Sequence, residues 1–512
     1  MLYVKIITFQ KFQNPVTMFM RKIVLALFFI TLSITCLSQS SDVQQINKII
    51  TGDAAFEPLT YLASDELKGR SPKRPEIDTA AKYISNNFIQ AGVKKIKGTT
   101  DYFQNFEIKL SIPAKHGSLK VNDSTFTIGN NLLQIGGEDV SLSVPIIFAG
   151  FGNKEDLDSI DVKGKIVVTR FGKSDSSSTG EALGYAKAKQ FALVEKGALA
   201  LIELFNQKDA PWDVVQHYFG QERVVPGKDS IPVLLLYAGD STIISFIEKA
   251  EQATLVTTGN GTKTVSAKNV MGLIEGTDKK LKDQYVVLSA HYDHIGVAEH
   301  PKTEEGKTDS IYNGARDNAI GVAAVLNAAR YFVKYPPKRS ILFVLYTAEE
   351  MGLIGSRYFA DNPVIPLNKM IYNLNIDNAG YNDTTVITVV GLGRTSADDD
   401  IKNACTAYGI KAIPDPAPEQ NLFDRSDNLN LAVKGVPAPT FSLGFTAFDG
   451  DVMKRYHQLS DEVATIDKGY ALKYIRSYIL AAKNIANNVV QPTWKKDDKY
   501  ESAGKKLYGL AD

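Results

Sequence analysis

Glu349 and Glu350 stand side by side at the end of a strongly apolar run, Ser340-Ile-Leu-Phe-Val-Leu-Tyr-Thr-Ala-Glu-Glu. Two carboxylates at the exit of a buried element are costly to desolvate unless a positive charge meets them, and a metal ion is the usual one. Two further apolar runs end in the same way. Tyr285-Val-Val-Leu-Ser leads into Ala290-His291-Tyr292-Asp293-His294, and Met370-Ile-Tyr-Asn-Leu-Asn-Ile leads into Asp377. A fourth acidic position, Asp317, lies in Asn313-Gly-Ala-Arg-Asp-Asn-Ala-Ile-Gly. Taken singly, Asp317 reads as a helix N-cap, His291 as a satisfied core histidine and the glutamate pair as a solvated loop. Taken together, ligand-type residues at element ends within one segment point to convergence.

The elements that must position them are legible. Residues 341–346 are apolar, branched and aromatic throughout, which suits a strand buried on both faces. Residues 319–332 carry Ile320, Ala324, Leu326, Ala328 and Phe332 at helical spacing, so Asp317 falls near a helix N-terminus, where the dipole favours negative charge. Strands mixed with helices give an α/β class, and in open α/β sheets sites form at the carboxyl ends of the strands.

The chain has 512 residues, a net charge of +1 and no basic stripe interleaved with aromatics, which argues against a nucleic-acid partner. Arg21-Lys22 followed by an apolar stretch at 23–32 reads as a secretory signal, too short for a membrane span, with cleavage near Ser38-Gln39. The expected location is therefore secreted or periplasmic, with no transmembrane span in the mature chain. Lipoprotein anchoring at Cys36 is the less favoured alternative, because Thr35 is unusual before such a cysteine. After cleavage only Cys405 remains, so no intrachain disulfide can form.

Along the chain, residues 40–53 read as a flexible start, 54–69 as a helix, and a second helix runs to Ala91 and stops at Gly92. Short strands and a helix fill a separate stretch without a ligand cluster. A long amphipathic helix covers 466–487, and the Lys-rich end reads as a solvated tail. The expected divisions are 1–38 signal and upstream segment, 39–140 and 259–492 catalytic domain, 141–258 inserted domain and 493–512 tail.

Five spaced motifs carry a resemblance. Ser289-Ala-His-Tyr-Asp-His-Ile-Gly, Asp317-Asn-Ala-Ile-Gly, Thr347-Ala-Glu-Glu-Met-Gly, Asn375-Ile-Asp and Tyr456-His457 resemble the ordered metal motifs of the two-zinc aminopeptidases. That family includes bacterial leucyl aminopeptidase, aminopeptidase Y and the glutamate carboxypeptidases. Residues 141–258 resemble the protease-associated domain inserted in many members, and Tyr61-Leu-Ala-Ser-Asp-Glu-Leu-Lys-Gly-Arg resembles their N-terminal segment. The resemblance implies a central mixed, largely parallel sheet flanked by helices, with a small inserted α+β domain.

It also implies two zinc ions as cofactors. His291 and Asp377 would be the terminal ligands of one, Glu350 and His457 those of the other, with Asp317 bridging. Glu349 would be the general base, and Asp293 would orient His291. Two zincs sharing a water lower its pKa to ~7 and produce a nucleophile at neutral pH. Neighbours on an extended chain point in opposed directions, which fits Glu350 on metal and Glu349 on water. Of the remaining histidines, His116 and His217 lie outside the metal-bearing segment and His300 in a charged loop, while His294 supports the site or has a structural role.

The implied activity is hydrolysis at the N-terminus of peptides, with peptides as the expected substrates. Alternatives on the same fold are a glutaminyl cyclase, which usually lacks the inserted domain, and a carboxypeptidase, for which Arg316 and Arg425 are candidate carboxylate binders. A non-catalytic binding protein is the alternative of a different class. Phe423-Asp-Arg-Ser-Asp-Asn departs from the family, which often carries His where Asn428 stands, and this leaves the substrate pocket open.

Overall fold

The structure, a computed structural model, describes residues 41–224, 231–304 and 306–511. The expected signal segment, including Cys36, lies outside them. No helix among the described residues is long and apolar enough to cross a membrane. The chain divides into two compact units, one of residues up to Asn105 and from Ala267 onward, the other Phe106–Ser266.

The first unit is built, in chain order, from α1 (Gly52–Leu62), α2 (Glu76–Ala91), the opening of β1 (Phe103–Ile112), the latter part of β2 (Gly261–Ile274), β3 (Tyr285–His291), α3 (Ile320–Lys334), β4 (Ser340–Tyr346), β5 (Met370–Ile376), β6 (Val386–Val390), α4 (Asp398–Ala407), β7 (Lys411–Pro414), β8 (Thr440–Leu443) and α5 (Lys468–Asn487). The sheet runs β7-β6-β8-β5-β3-β4-β2-β1. β3 lies at its centre, parallel to both β4 and β5, with His291 level with Tyr346 and Ala290 level with Ile376. β5 and β8 are parallel, whereas β2 meets β4 and β6 meets β8 antiparallel. The sheet is therefore mixed and largely parallel at the centre.

All residues of β4 and β5 are buried, which is why β4 reads as a nearly continuous apolar run and β5 as one broken only by Asn373 and Asn375. Successive residues alternate between two cores. Ile341, Phe343 and Leu345 pack with α1, α2, α3 and α5, while Leu342, Val344 and Tyr346 pack with Phe359, Leu431, Val436 and Trp494. Each fully buried side chain of this kind contributes ~1.5–3 kcal/mol.

Three expectations are corrected here. Residues 41–49 form a helix rather than a flexible start, with Ile46 and Ile50 fully buried. α1 ends at Leu62, and the chain then turns through Lys68 and Gly69 at positive φ, so the helix does not reach Gly69. Residues 493–511 are not a solvated tail. Trp494 and Tyr500 are buried, a helix spans Glu501–Tyr508, and the Tyr508 hydroxyl donates to Met370 O at 2.7 Å. Lysine-rich composition concealed a few anchoring aromatics, and it is those that decide burial.

The second unit is an eight-stranded sheet of its own. Ile166–Arg170, Ala200–Phe205 and Val233–Tyr237 pair in parallel. The hairpin His116–Val121 and Ser124–Thr127 joins antiparallel through Gln252–Thr258. That pairing extends the unit well before residue 141, the start expected from the sequence.

Candidate metal centre

His291 is the last residue of β3, Asp377 follows β5 directly, and Glu349 and Glu350 lie just beyond β4. Three neighbouring parallel strands thus deliver their acidic and imidazole groups to one sheet edge. A turn after β4 aims the glutamates: Ala348 sits at φ +57°, and Glu349 O accepts from the N–H groups of Gly352 and Leu353, both at 2.9 Å. The glutamates are therefore in a turn rather than on an extended strand.

Asp317 precedes α3 without capping it, since neither it nor Ala319 makes a side-chain cap bond there. Its carboxylate instead faces two ways. Oδ1 lies 3.3 Å from His291 Nε2, and Oδ2 lies 3.1 Å from His457 Nε2. On the first side His291 Nε2 is 3.2 Å from Asp377 Oδ1; on the second His457 Nε2 is 3.2 Å from Glu350 Oε2. The five expected ligands therefore form two groups that share Asp317, and His294 joins the second.

Donor spacings of 3.1–3.3 Å suit a cation held at ~2.0–2.2 Å by imidazole nitrogens and carboxylate oxygens, the bond lengths of zinc. The five expected ligands would offer three donors to each ion with Asp317 shared, and His294 stands beside the second group. The donor set thus fits two zinc ions.

The electrostatics are those of an acid-rich pocket. Burial disfavours charge on His457, but Asp317 and Glu350 overcome it and raise the imidazole to about 10. Burial likewise opposes charge on Glu350, yet His294 and His457 bring it down to about 2. Glu349 goes the other way: burial, with Asp377 and Glu350 adding repulsion, holds its carboxyl well above the ordinary range despite the nearby His291. Burial raises Asp293 to about 7. Glu349 and Asp293 pushed up beside Glu350 and Asp317 pushed down, the last against its burial by His291 and His457, mark a pocket that divides acid–base roles between like groups.

Asp293 differs in detail from its expected role. Its carboxylate lies 3.8 Å from His291 Nδ1, beyond hydrogen-bond reach, while its backbone oxygen lies at 3.2 Å. The carboxylate oxygens instead accept from the backbone N–H groups of Glu349 (3.2 Å) and Glu350 (3.3 Å), so Asp293 fixes the turn that aims both glutamates.

His294 was open between two roles. Its Nδ1 lies 2.8 Å from Glu350 Oε1, which steadies that carboxylate. Asp461 has no marker in the sequence. Its carboxylate accepts from Arg316 N (2.8 Å) and Asp317 N (3.2 Å) and binds the Arg316 guanidinium at 2.9 Å. Arg316, a candidate carboxylate binder, is consumed there and by Thr465, and it stacks over Tyr381. Asn428 donates to Phe423 O and Ala438 O, both at 3.2 Å, and so secures its own loop. His300 is exposed and apart from the cluster.

Beside Asp377 opens a cleft of about 60 Å³ walled by Val390, Leu422, Phe445, Phe448 and Tyr456, with Arg425 at its side. The Tyr456 ring stacks on His457 with centroids 4.1 Å apart.

Aminopeptidase YwaD of Bacillus subtilis (strain 168) is 28% identical over 244 residues, 48% of this chain and 45% of that protein. A probable zinc metalloprotease of Pyrenophora teres f. teres is 29% identical over 135 residues, 26% of this chain and 24% of that protein. The match to these curated relatives thus spans less than half of their length. Among solved structures, an aminopeptidase from Aneurinibacillus sp. strain AM-1 superposes with a TM-score of 0.58 at 18% identity, covering 89% of this chain and 98% of that one, which establishes a shared fold. Residues 269–481 match peptidase family M28. His291, Asp317, Glu349, Glu350, Asp377 and His457 all fall within that segment.

Proposed function

We propose that the chain is a zinc-dependent exopeptidase that removes residues from the N-terminus of peptides. The observation that carries the reading is the pair of donor groups sharing Asp317 at the carboxyl edge of the sheet. His291 and Asp377 would hold one zinc, Glu350 and His457 the other, and Asp317 both. Bound there, the ions supply Lewis acidity toward a peptide carbonyl and acidify a water within reach.

The side chains do the rest. Glu349, its carboxyl raised by burial, takes the proton from that water and returns it to the leaving amine. Asp293 keeps Glu349 and Glu350 diverging by holding their N–H groups. The cleft beside Asp377 receives the terminal side chain against Val390, Leu422, Phe445 and Phe448.

A carboxypeptidase is the second reading. It is favoured by Arg425, exposed at the cleft and engaged among the described residues by a 3.5 Å contact to Gln420 O, which leaves its charge available to a substrate carboxylate. A panel of free and N-acetylated peptides, with metal analysis on the same sample, separates the two. Cleavage of free but not acetylated peptides with two equivalents of zinc supports the aminopeptidase; preference for acetylated peptides with a free carboxylate selects the alternative.

Around this core, residues 1–38 read as a secretory signal and the stretch 141–258 as a protease-associated domain. Sequencing the N-terminus of the exported protein tests the first; a start near residue 39 is expected.

A further inference from the structure

Arg70 is 1% exposed, and among the described residues no carboxylate is within ion-pair distance of it. Its guanidinium is spent on backbone carbonyls. Nε donates to Tyr292 O at 2.9 Å, Nη2 to Gly314 O at 3.0 Å, and Nη1 to both Asn313 O at 2.7 Å and Leu62 O. These carbonyls come from three separate stretches. Leu62 ends α1. Tyr292 follows His291 directly, and Asn313 and Gly314 open the loop that carries Asp317. One planar fork therefore ties the loop of a terminal ligand to the loop of the bridging ligand.

The backbone around Arg70 reinforces the tie. His294 N donates to Arg70 O at 3.3 Å. Gly69, at φ +67°, lies so close to both loops that a Cβ there would stand 2.3 Å from Gly296 O and 2.6 Å from Tyr312 O. The Asn313 side chain answers from the other side, donating to Ala63 O at 2.8 Å and Asp65 Oδ1 at 2.9 Å. Burying a cation with only neutral partners is expensive. Burial lowers the guanidinium to about 10, and the negative charges that support it are Asp317, Asp293, Asp461 and Glu350, which belong to the metal centre and its frame.

We propose that Arg70 is a positioning residue for the metal centre: it clamps the His291 and Asp317 loops at ligand spacing, so that the donor set stands assembled before a cation arrives. The proposal rests on these residues being the metal ligands. Lysine keeps the charge but has no fork with which to span two loops.

In Arg70→Lys, zinc affinity measured by chelator competition falls ~10–100-fold, the range for losing a ligand's support. The rise in unfolding temperature that zinc confers shrinks accordingly. Asn313→Ala cuts the second tie and leaves Arg70 in place. It loses affinity in the same direction by a smaller factor, and it carries the test if the lysine variant does not fold. Wild-type zinc affinity in both variants, with equal loss of stability in the metal-free and zinc-loaded proteins, overturns the proposal and makes Arg70 a packing residue. Failure of the unaltered protein to bind zinc overturns the ligand reading itself, a result recognisable because it precedes any substitution.

Discussion

Each unit of the molecule buries a charged cluster, and the two clusters are built to opposite ends. In Phe106–Ser266, Lys189 and Glu203 form a 2.9 Å ion pair whose side chains are 2% and 0% exposed, and Thr169 donates to the same Glu203 oxygen at 2.8 Å. One cation meets one anion, and the charge closes on itself. At the sheet edge of the other unit, Asp293, Asp317, Glu349, Glu350 and Asp377 crowd around His291, His294 and His457, while the buried guanidinium of Arg70 binds carbonyls and that of Arg316 is paired with Asp461. Carboxylates outnumber the groups that can neutralise them. A matched pair asks for nothing further, whereas an acid-rich cluster with imidazoles at ligand spacing is stable in charge only with cations added. Burial of charge is thus not by itself the mark of a site; imbalance together with donor geometry is.

The comparison breaks most visibly at Glu349. Glu349→Gln should lower turnover of aminoacyl-nitroanilides by ~10²–10⁴ with zinc content unchanged, because it removes a proton acceptor and no donor to metal. Unchanged turnover would remove the base from its role. His457→Ala should next abolish one of two zinc equivalents, read by elemental analysis; retention of both would contradict its place as a ligand.

The matched pair should respond in stability alone. Lys189→Met leaves Glu203 buried without its partner and should cost ~3–5 kcal/mol, while Lys189→Met with Glu203→Leu should recover most of that. Urea unfolding followed by Trp212, the one tryptophan of this unit, reports it, with zinc content as the control. Loss of zinc in the single variant would show that the two clusters are not independent.

The smallest expected effect is in pH. Burial lifts Glu203 from an ordinary 4.5 to about 7. Between those values the folded state holds a proton that the unfolded chain has released, so the stability of this unit falls as pH rises from about 4.5 to about 7. Glu203→Gln should flatten that slope; an unaltered slope would assign it to another group.

What could be read in advance was local. β3, β4 and β5 announce themselves because strands covered on both faces are largely apolar, and their ligands follow at once in the chain. The order of the five motifs pointed to a two-metal centre, and the turn from α2 into Gly92 was marked by glycine. The residues that hold the site together were not legible. Asp461 binds the Asp317 loop from 144 residues away, and Arg70 reaches Tyr292 across 222. The first leaves no periodicity or motif, and the Tyr61–Arg70 motif does not say which carbonyls Arg70 binds. Asp293 was expected beside His291 because it is two residues off, and folding sent its carboxylate instead to Glu349 and Glu350. The Lys-rich end looked solvated because composition averages over the few aromatics that anchor it.

Residue type and local order thus determined by themselves which side chains could do chemistry and which strands would carry them, since those follow from desolvation and from the period of the chain. Only the tertiary structure decided their spacing, their partners and their proton affinities. Those depend on which distant carbonyl or carboxylate happens to lie within 3 Å or so, and no short stretch of sequence encodes that.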